Sequence, residues 1–429
     1  MFSQSFLRKL VLLFFIFSLQ VSASQQPTKA AKNVIFFIGD GMGLASITGG
    51  RIWANGSKGK LAMESFPVTG IAKTYSSSDY VTDSAAAGTA LATGVKTYNG
   101  AISISDPKVD PKQRSRELET LVDIAHAQGK SIGIVTTTRI THATPAVFYA
   151  HQASRDDEIE IAKQILNSHV DLFFGGGQKI LNKASPSGNF LQNAKDEGWA
   201  TCTNSAELSI LSHLNAPKNI CVFSESHMDY ELDRVTNKLQ QPSLTTMVET
   251  AVQILKKNPK GFFLVVEGGR IDHAAHENKA RHVFSELVSF DNAIEGTSNL
   301  NFEETLVVVT ADHETGGLSL NGYHDISTRG EDLLDKSRDR SYFLVSFASG
   351  PGSYEHDNEH LGEHIEVHPS LIPMHAAAHT AVDVIVLAKG IYSHHFSGFQ
   401  ENTDIPLKIA KAMGASFQRS SNLEHIHHQ

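Results

Sequence analysis

Three acidic residues in this 429-residue chain stand directly behind apolar runs: Asp40 after VIFFIG, Glu267 after FFLVV, and Asp312, with His313 beside it, after LVVVTA. Short apolar runs of this kind read as strands, and open α/β sheets bind ligands at the carboxyl ends of their strands, above all where strand order reverses. Three strand ends would then bring three carboxylates to one edge. Unpaired carboxylates at close range repel, and bound cations remove that repulsion. A single Asp after a strand is often only the cap of the next helix. Three together, with a histidine attached, favour a cation site.

The segment Glu267-Gly268-Gly269-Arg270-Ile271-Asp272-His273-Ala274-Ala275-His276 is denser still. If the chain turns helical near Asp272, then Asp272 and His276 stand at i and i+4 on one face. A carboxylate oxygen and an imidazole nitrogen so placed can share a zinc ion. Alone, Asp-x-x-x-His is often just a surface pair; within this segment the metal reading is preferred. A nucleophile candidate lies in Val81-Thr82-Asp83-Ser84-Ala85-Ala86-Ala87-Gly88-Thr89, where Ser84 precedes very small residues suited to a tightly packed helix. Helix N-termini attract anions through their free N–H groups and dipole. Ser84 is therefore either an N-cap or a nucleophile. No histidine base stands beside it in the sequence, but a metal ion can lower a hydroxyl pKa instead. Cys202 and Cys221 are the only cysteines. They are too few for a thiolate metal site, which leaves His, Asp and Glu, and hence zinc, magnesium or similar ions.

Positioning these groups requires a frame large enough to bury a core, and a chain of this length, 41% hydrophobic and 19% charged, can build one. Strands are expected at Val34 to Ile38, Ser131 to Thr136, Leu172 to Phe174, Phe262 to Val266 and Thr305 to Val309. Helices are expected at Glu117 to Gln128, Asp157 to Asn167 and Leu244 to Lys257. The alternation points to the α/β class: an α/β/α sandwich with a central, mostly parallel sheet. Runs such as VIFFI and LVVV read as strands buried on both faces. Two stretches, 182–235 and 325–375, read as surface insertions in a single catalytic domain spanning 24–429.

Residues 1–23 carry Arg8 and Lys9, an apolar run from Leu10 to Val21, and small residues at Val21-Ser22-Ala23: the pattern of a cleaved signal peptide. Export, periplasmic or secreted, is the expectation, without a stable membrane anchor. In that setting the simplest reading of Cys202 and Cys221 is one disulfide. Removing the leader takes the formal charge from −9 to −11. An acidic chain without a long basic run is poorly suited to bind nucleic acid.

The nonapeptide VTDSAAAGT resembles the nucleophile signature of the alkaline phosphatase family. The resemblance runs from about Asn33 to Lys389 and includes IGDGMG, THATPAVFYAH, VEGGRIDHAAH and TADHETGG in the family's order. It implies a phosphate-monoester hydrolase of broad range, working through a phosphoserine with two zinc ions and one magnesium ion, and a homodimer. Carried over by motif, Ser84 is the nucleophile and Arg155, eleven residues after Thr144, grips the substrate phosphate. Asp40 bridges one zinc and the magnesium. Asp312 and His313 hold that zinc, Asp272 and His276 the other, and Thr144 and Glu267 complete the magnesium site. His142 and His273 stand behind these ligands. The family's last zinc histidine often lies in His-x-Gly-x-Asp; here His379-Thr380-Ala381-Val382-Asp383 matches with alanine for glycine, and His375 and His368 compete for the role.

Two other readings use the same residues. A phosphodiesterase of the same superfamily is the enzymatic alternative, although such relatives usually place threonine at the nucleophile. A non-catalytic periplasmic zinc-binding protein would use the many histidines, but it leaves VTDSAAAGT and Arg155 unexplained. Apart from His379 itself, the histidines of the stretch from His356 to His379 and of the tail at His425, His427 and His428 read as solvated loop and tail residues.

Overall fold

The computed structural model describes residues 29–109, 114–214, 216–322, 326–334, 342–353 and 366–418. The leader expected over residues 1–23 and the tail histidines lie outside the described residues. Among the described residues, the unit that begins at Ala31 is built on fifteen strands, in chain order β1 (Asn33–Ile38), β2 (Val68–Lys73), β3 (Ser131–Arg139), β4 (Leu172–Gly176), β5 (Ala200–Cys202), β6 (Asn219–Val222), β7 (Phe262–Glu267), β8 (Thr305–Thr310), β9 (Glu314–Thr315), β10 (Ser319–Leu320), β11 (Val345–Gly350), β12 (Ser370–Pro373), β13 (His379–Thr380), β14 (Val384–Gly390) and β15 (Gly398–Glu401). Ten of them form one sheet in the order β15-β2-β14-β8-β1-β7-β3-β4-β6-β5. Its pairings are parallel except those of β14, which runs antiparallel to both β2 and β8.

The central strands are those whose apolar runs are continuous, because both of their faces are covered. Phe36 meets the Phe148 ring at 6.3 Å and Phe37 meets Phe290 at 5.8 Å. Successive strand residues point to opposite faces, so Phe148 and Phe290 lie on opposite sides of the sheet. Helices flank the sheet on both faces, as the α/β/α expectation requires. Each fully buried phenylalanine contributes about 1.5–3 kcal/mol.

The expected helix from Glu117 is shorter and spans Leu121–Ala127. Thr120 caps it and forms a reciprocal box with Asp123, while Glu117 instead bridges Ile104. The expected helix from Asp157 spans Glu158–Gln164. The 182–235 stretch, expected as an insertion, contributes β5 and β6 to the main sheet. In 325–375 the described residues form β11 and β12, which join β10 in a separate three-stranded sheet.

Cys202 and Cys221 stand opposite each other in the β5–β6 ladder and are joined as a disulfide. β6 is four strands from β1, roughly 19 Å at the usual strand spacing. Replacing both cysteines by serine is expected to cost about 2–4 kcal/mol of stability through loss of loop closure. Thermal unfolding should shift down while kcat/KM stays within about twofold of the parent; a matching loss of activity would contradict the distance between bridge and site.

Candidate active site

The strand register explains how distant carboxylates meet. Ile38 pairs with Glu267 on one side and Thr310 on the other. Glu267 therefore ends its strand level with Ile38, while Asp40 and Asp312 each lie two residues beyond that line. Gly41, between them, has φ +70°, and a Cβ there would stand 2.7 Å from the Asp272 backbone. Only glycine meets both demands. Its N–H donates to Asp312 Oδ1 at 3.2 Å, which draws the β1 turn against the β8 turn.

Ser84 opens the helix Ser84–Thr93, but it is not the cap. Asp83 holds that position, accepting from Ala86 N at 2.9 Å, which leaves the Ser84 hydroxyl free for the site. Ser84 Oγ lies 3.2 Å from His313 Nε2, a neighbour that the sequence spacing does not reveal. The other Asp83 oxygen accepts from Gly100 N at 3.0 Å and from Arg155 Nη1 at 3.1 Å. Arg155 Nη2 donates to His142 Nε2 at 3.2 Å. The guanidinium is thus held beside the helix start that carries Ser84.

Asp272 and His276 share the short helix Arg270–His276, with His276 Nε2 3.1 Å from Asp272 Oδ2. His276 Nδ1 faces the Ala377 carbonyl at 2.5 Å, and His379 Nδ1 faces the Thr82 carbonyl at 2.9 Å. A carbonyl only accepts, so each Nδ1 carries the proton and each Nε2 presents a lone pair. The two Nε2 atoms lie 3.2 Å apart. Two lone pairs at that distance need a cation between them. With no metal the site draws in a proton: burial pulls His276 down, but Asp272 outweighs it and raises the pKa to about 9. Of the three histidines weighed for this place, His379 reaches the cluster through the β9–β13 bridge, where it pairs with Thr315.

Three sets of described residues offer ligand atoms within 4.8 Å of one another: Asp272, His313 and His379; Asp40, Asp312 and His313; and Asp40, His142 and Glu267. Thr144 joins the third set, its Oγ1 3.5 Å from Asp40 Oδ2. Glu267 Oε2 accepts from Thr136 and, at 3.0 Å, from Thr138. Asp40 Oδ1, Glu267 Oε1 and Asp312 Oδ2 are buried without a hydrogen bond. Burial, then repulsion from Asp312, Asp272 and Glu267, pushes the Asp40 carboxyl well above its ordinary range. Burial and Asp272 push Asp312 up to about 8. Bare, crowded oxygens beside imidazole nitrogens are the donor set of hard and borderline divalent cations, so these residues fit metal ions.

A family model described as alkaline phosphatase matches residues 31–415. The chain belongs to the alkaline phosphatase family. It is 34% identical to the human tissue-nonspecific alkaline phosphatase, covering 90% of this chain and 84% of the relative. The structure of alkaline phosphatase from the Antarctic bacterium TAB5 is 30% identical with a TM-score of 0.72, covering 90% of this chain and 99% of that one. The Thermus thermophilus alkaline phosphatase aligns with a TM-score of 0.74 at 26% identity, covering 92% and 94%. A TAB5 alkaline phosphatase variant was solved with Mg bound.

Around the alkaline phosphatase motifs the fold adds residues that sequence reasoning missed. His227 packs against His142 and His273, with ring centroids 5.2 and 4.3 Å away. It arrives on a turn from the 182–235 stretch, where Met228 N donates to the Thr137 carbonyl at 3.0 Å. Arg139 contacts His227 and grips Glu158 at 2.8 and 2.6 Å. Burial, followed by the neighbouring His273 ring and by Arg139 and Arg270, lowers His227 to about 2; burial lowers His273 to about 4 and His142 well below its usual range. All three imidazoles are therefore neutral at working pH. A lone histidine in a polar stretch carries no spacing signal, so only the fold reveals His227.

Proposed function

We propose that this chain hydrolyses phosphate monoesters by way of a phosphoserine on Ser84. The observation that carries the reading is the placement of the Ser84 hydroxyl: at a helix start, against His313 of the Asp40–Asp312–His313 set, with the Arg155 guanidinium fixed on the neighbouring Asp83. Asp312, His313 and Asp40 would hold one zinc ion; Asp272, His276 and His379 a second; Asp40, Glu267 and Thr144 a magnesium ion, with His142 and His273 behind it. When bound, such ions lower the pKa of an attached oxygen and neutralise charge on a phosphoryl group.

Ser84 Oγ attacks phosphorus in line, the ester P–O bond breaks, and the alcohol departs with a proton. Water then attacks the phosphoserine, and phosphate leaves as Ser84 recovers its proton. Two inversions give net retention at phosphorus. The planar fork of Arg155 suits two phosphate oxygens at once, and Asp83 keeps that fork from swinging away. Export through residues 1–23 and assembly as a homodimer belong to the same proposal, supported by the composition of the leader and by family membership.

The test compares a monoester and a diester of the same alcohol under identical conditions. The monoester should be cleaved faster by orders of magnitude; a faster diester would transfer the chain to the phosphodiesterase alternative. Arg155→Ala is expected to weaken inhibition by inorganic phosphate by roughly 10- to 100-fold, the range of a lost charge-assisted bidentate contact. Unchanged phosphate inhibition would remove Arg155 from the phosphate site.

A further inference from the structure

His276, His379 and His313 are each oriented by the nitrogen turned away from the site. For His276 and His379 that nitrogen meets a backbone carbonyl. For His313 it meets a side chain. Thr315 Oγ1 lies 3.3 Å from His313 Nδ1, and the same oxygen lies 2.5 Å from Asp272 Oδ1. Thr315 is fully buried, so water cannot substitute in either contact.

The direction of these bonds follows from counting protons. A hydroxyl has one proton to give, and an ionised carboxylate only accepts. Metal-holding carboxylates are ionised, so the Thr315 proton goes to Asp272. Its oxygen is then left to accept from His313, which must carry its own proton on Nδ1. The lone pair on His313 Nε2 consequently faces Ser84 Oγ at 3.2 Å, Asp312 Oδ2 at 3.2 Å and Asp40 Oδ1 at 3.6 Å. Backbone pairing of Thr315 with His379 in the β9–β13 bridge fixes where the hydroxyl stands, and β-branching restricts its rotation.

We propose that Thr315 is a positioning residue whose single hydroxyl sets the tautomer of His313 and the orientation of Asp272, tying together the two donor sets to which they belong. The proposal rests on the reading of Asp272 and His313 as metal ligands. Partners of this kind behind metal ligands typically change metal affinity by about 10- to 100-fold when removed.

Two variants and one spectrum test it. Thr315→Val keeps the shape and removes the hydroxyl; Thr315→Ser keeps the hydroxyl. In zinc competition against a chromophoric chelator, the valine variant should bind zinc about 10- to 100-fold more weakly, and the serine variant within about threefold of the parent. In holoenzyme labelled with 15N-histidine, the resonance missing from a His313→Asn control should show its proton on Nδ1, and that signal should shift in Thr315→Val. A proton on Nε2 in the parent overturns the proposal, as does a valine variant that holds zinc as tightly as the parent. Serine as damaging as valine also overturns it, because the hydroxyl would not be the operative group. Should valine fail to fold, the parent spectrum and the serine variant still decide. A parent that binds no zinc would undo the metal reading itself, whereas a zinc-loaded parent indifferent to Thr315→Val would remove only Thr315.

Discussion

Ser84→Ala should reduce monoester turnover by about 10⁴-fold or more, the scale on which nucleophile removal acts in enzymes that form covalent intermediates. The fold should hardly notice. Asp83, not Ser84, caps the helix, and alanine is the best helix former, so stability should change by no more than about 1 kcal/mol. The metal complement should also survive, because Asp40, Asp312 and His313 remain in place. What disappears is the hydroxyl lying against His313 Nε2 at the helix start. The phosphoryl group then has no protein acceptor, and any residual reaction must use water directly. Acid quenching of the parent during turnover should trap phosphate on Ser84, and the variant should trap none. Parental turnover in the variant would end the nucleophile assignment. Loss of metal alongside activity would leave the inactivation explained by an empty site instead.

How much of this could be read beforehand follows from where each residue's information resides. β1, β3, β4, β7 and β8 were legible because burial on both faces demands unbroken apolar runs. Ala200–Cys202 and Gly398–Glu401 were not. They are short edge strands whose pairing depends on distant partners, and GFQE carries no period. The limits of the Leu121 helix were visible in principle, since Thr120 and Asp123 form a local signal. Asp40, Glu267 and Asp312 were legible because a strand end fixes where a side chain is delivered. The roles of Thr315 and His227 were not, because each depends on a contact between segments far apart in the chain. Ser84 illustrates the division: its motif marked the helix start, but the assignment of the cap to Asp83 needed the fold.

Stripping the protein with a chelator should abolish monoester hydrolysis; zinc should restore it, and magnesium should raise the restored rate. The physical ground is the set of buried carboxylates. Without cations, Asp40, Asp312 and Glu267 are raised above their ordinary range by burial, and Asp40 and Asp312 also by neighbouring carboxylates. Their folded pKa values then exceed the unfolded ones, so the stripped protein holds protons that the unfolded chain would release. That contribution to stability is complete below the usual carboxylate range and is lost as pH rises through the folded values, which for Asp312 is about 8. In the loaded protein the cations keep the same carboxylates ionised, and no such loss is expected across this window. The Tm gap between loaded and stripped protein should therefore widen from about pH 5 to about pH 9. Calorimetry on both forms, with metal analysis of each, checks the gap. A stripped protein with full turnover, or a gap constant with pH, would mean that these carboxylates are not held apart by bound metal.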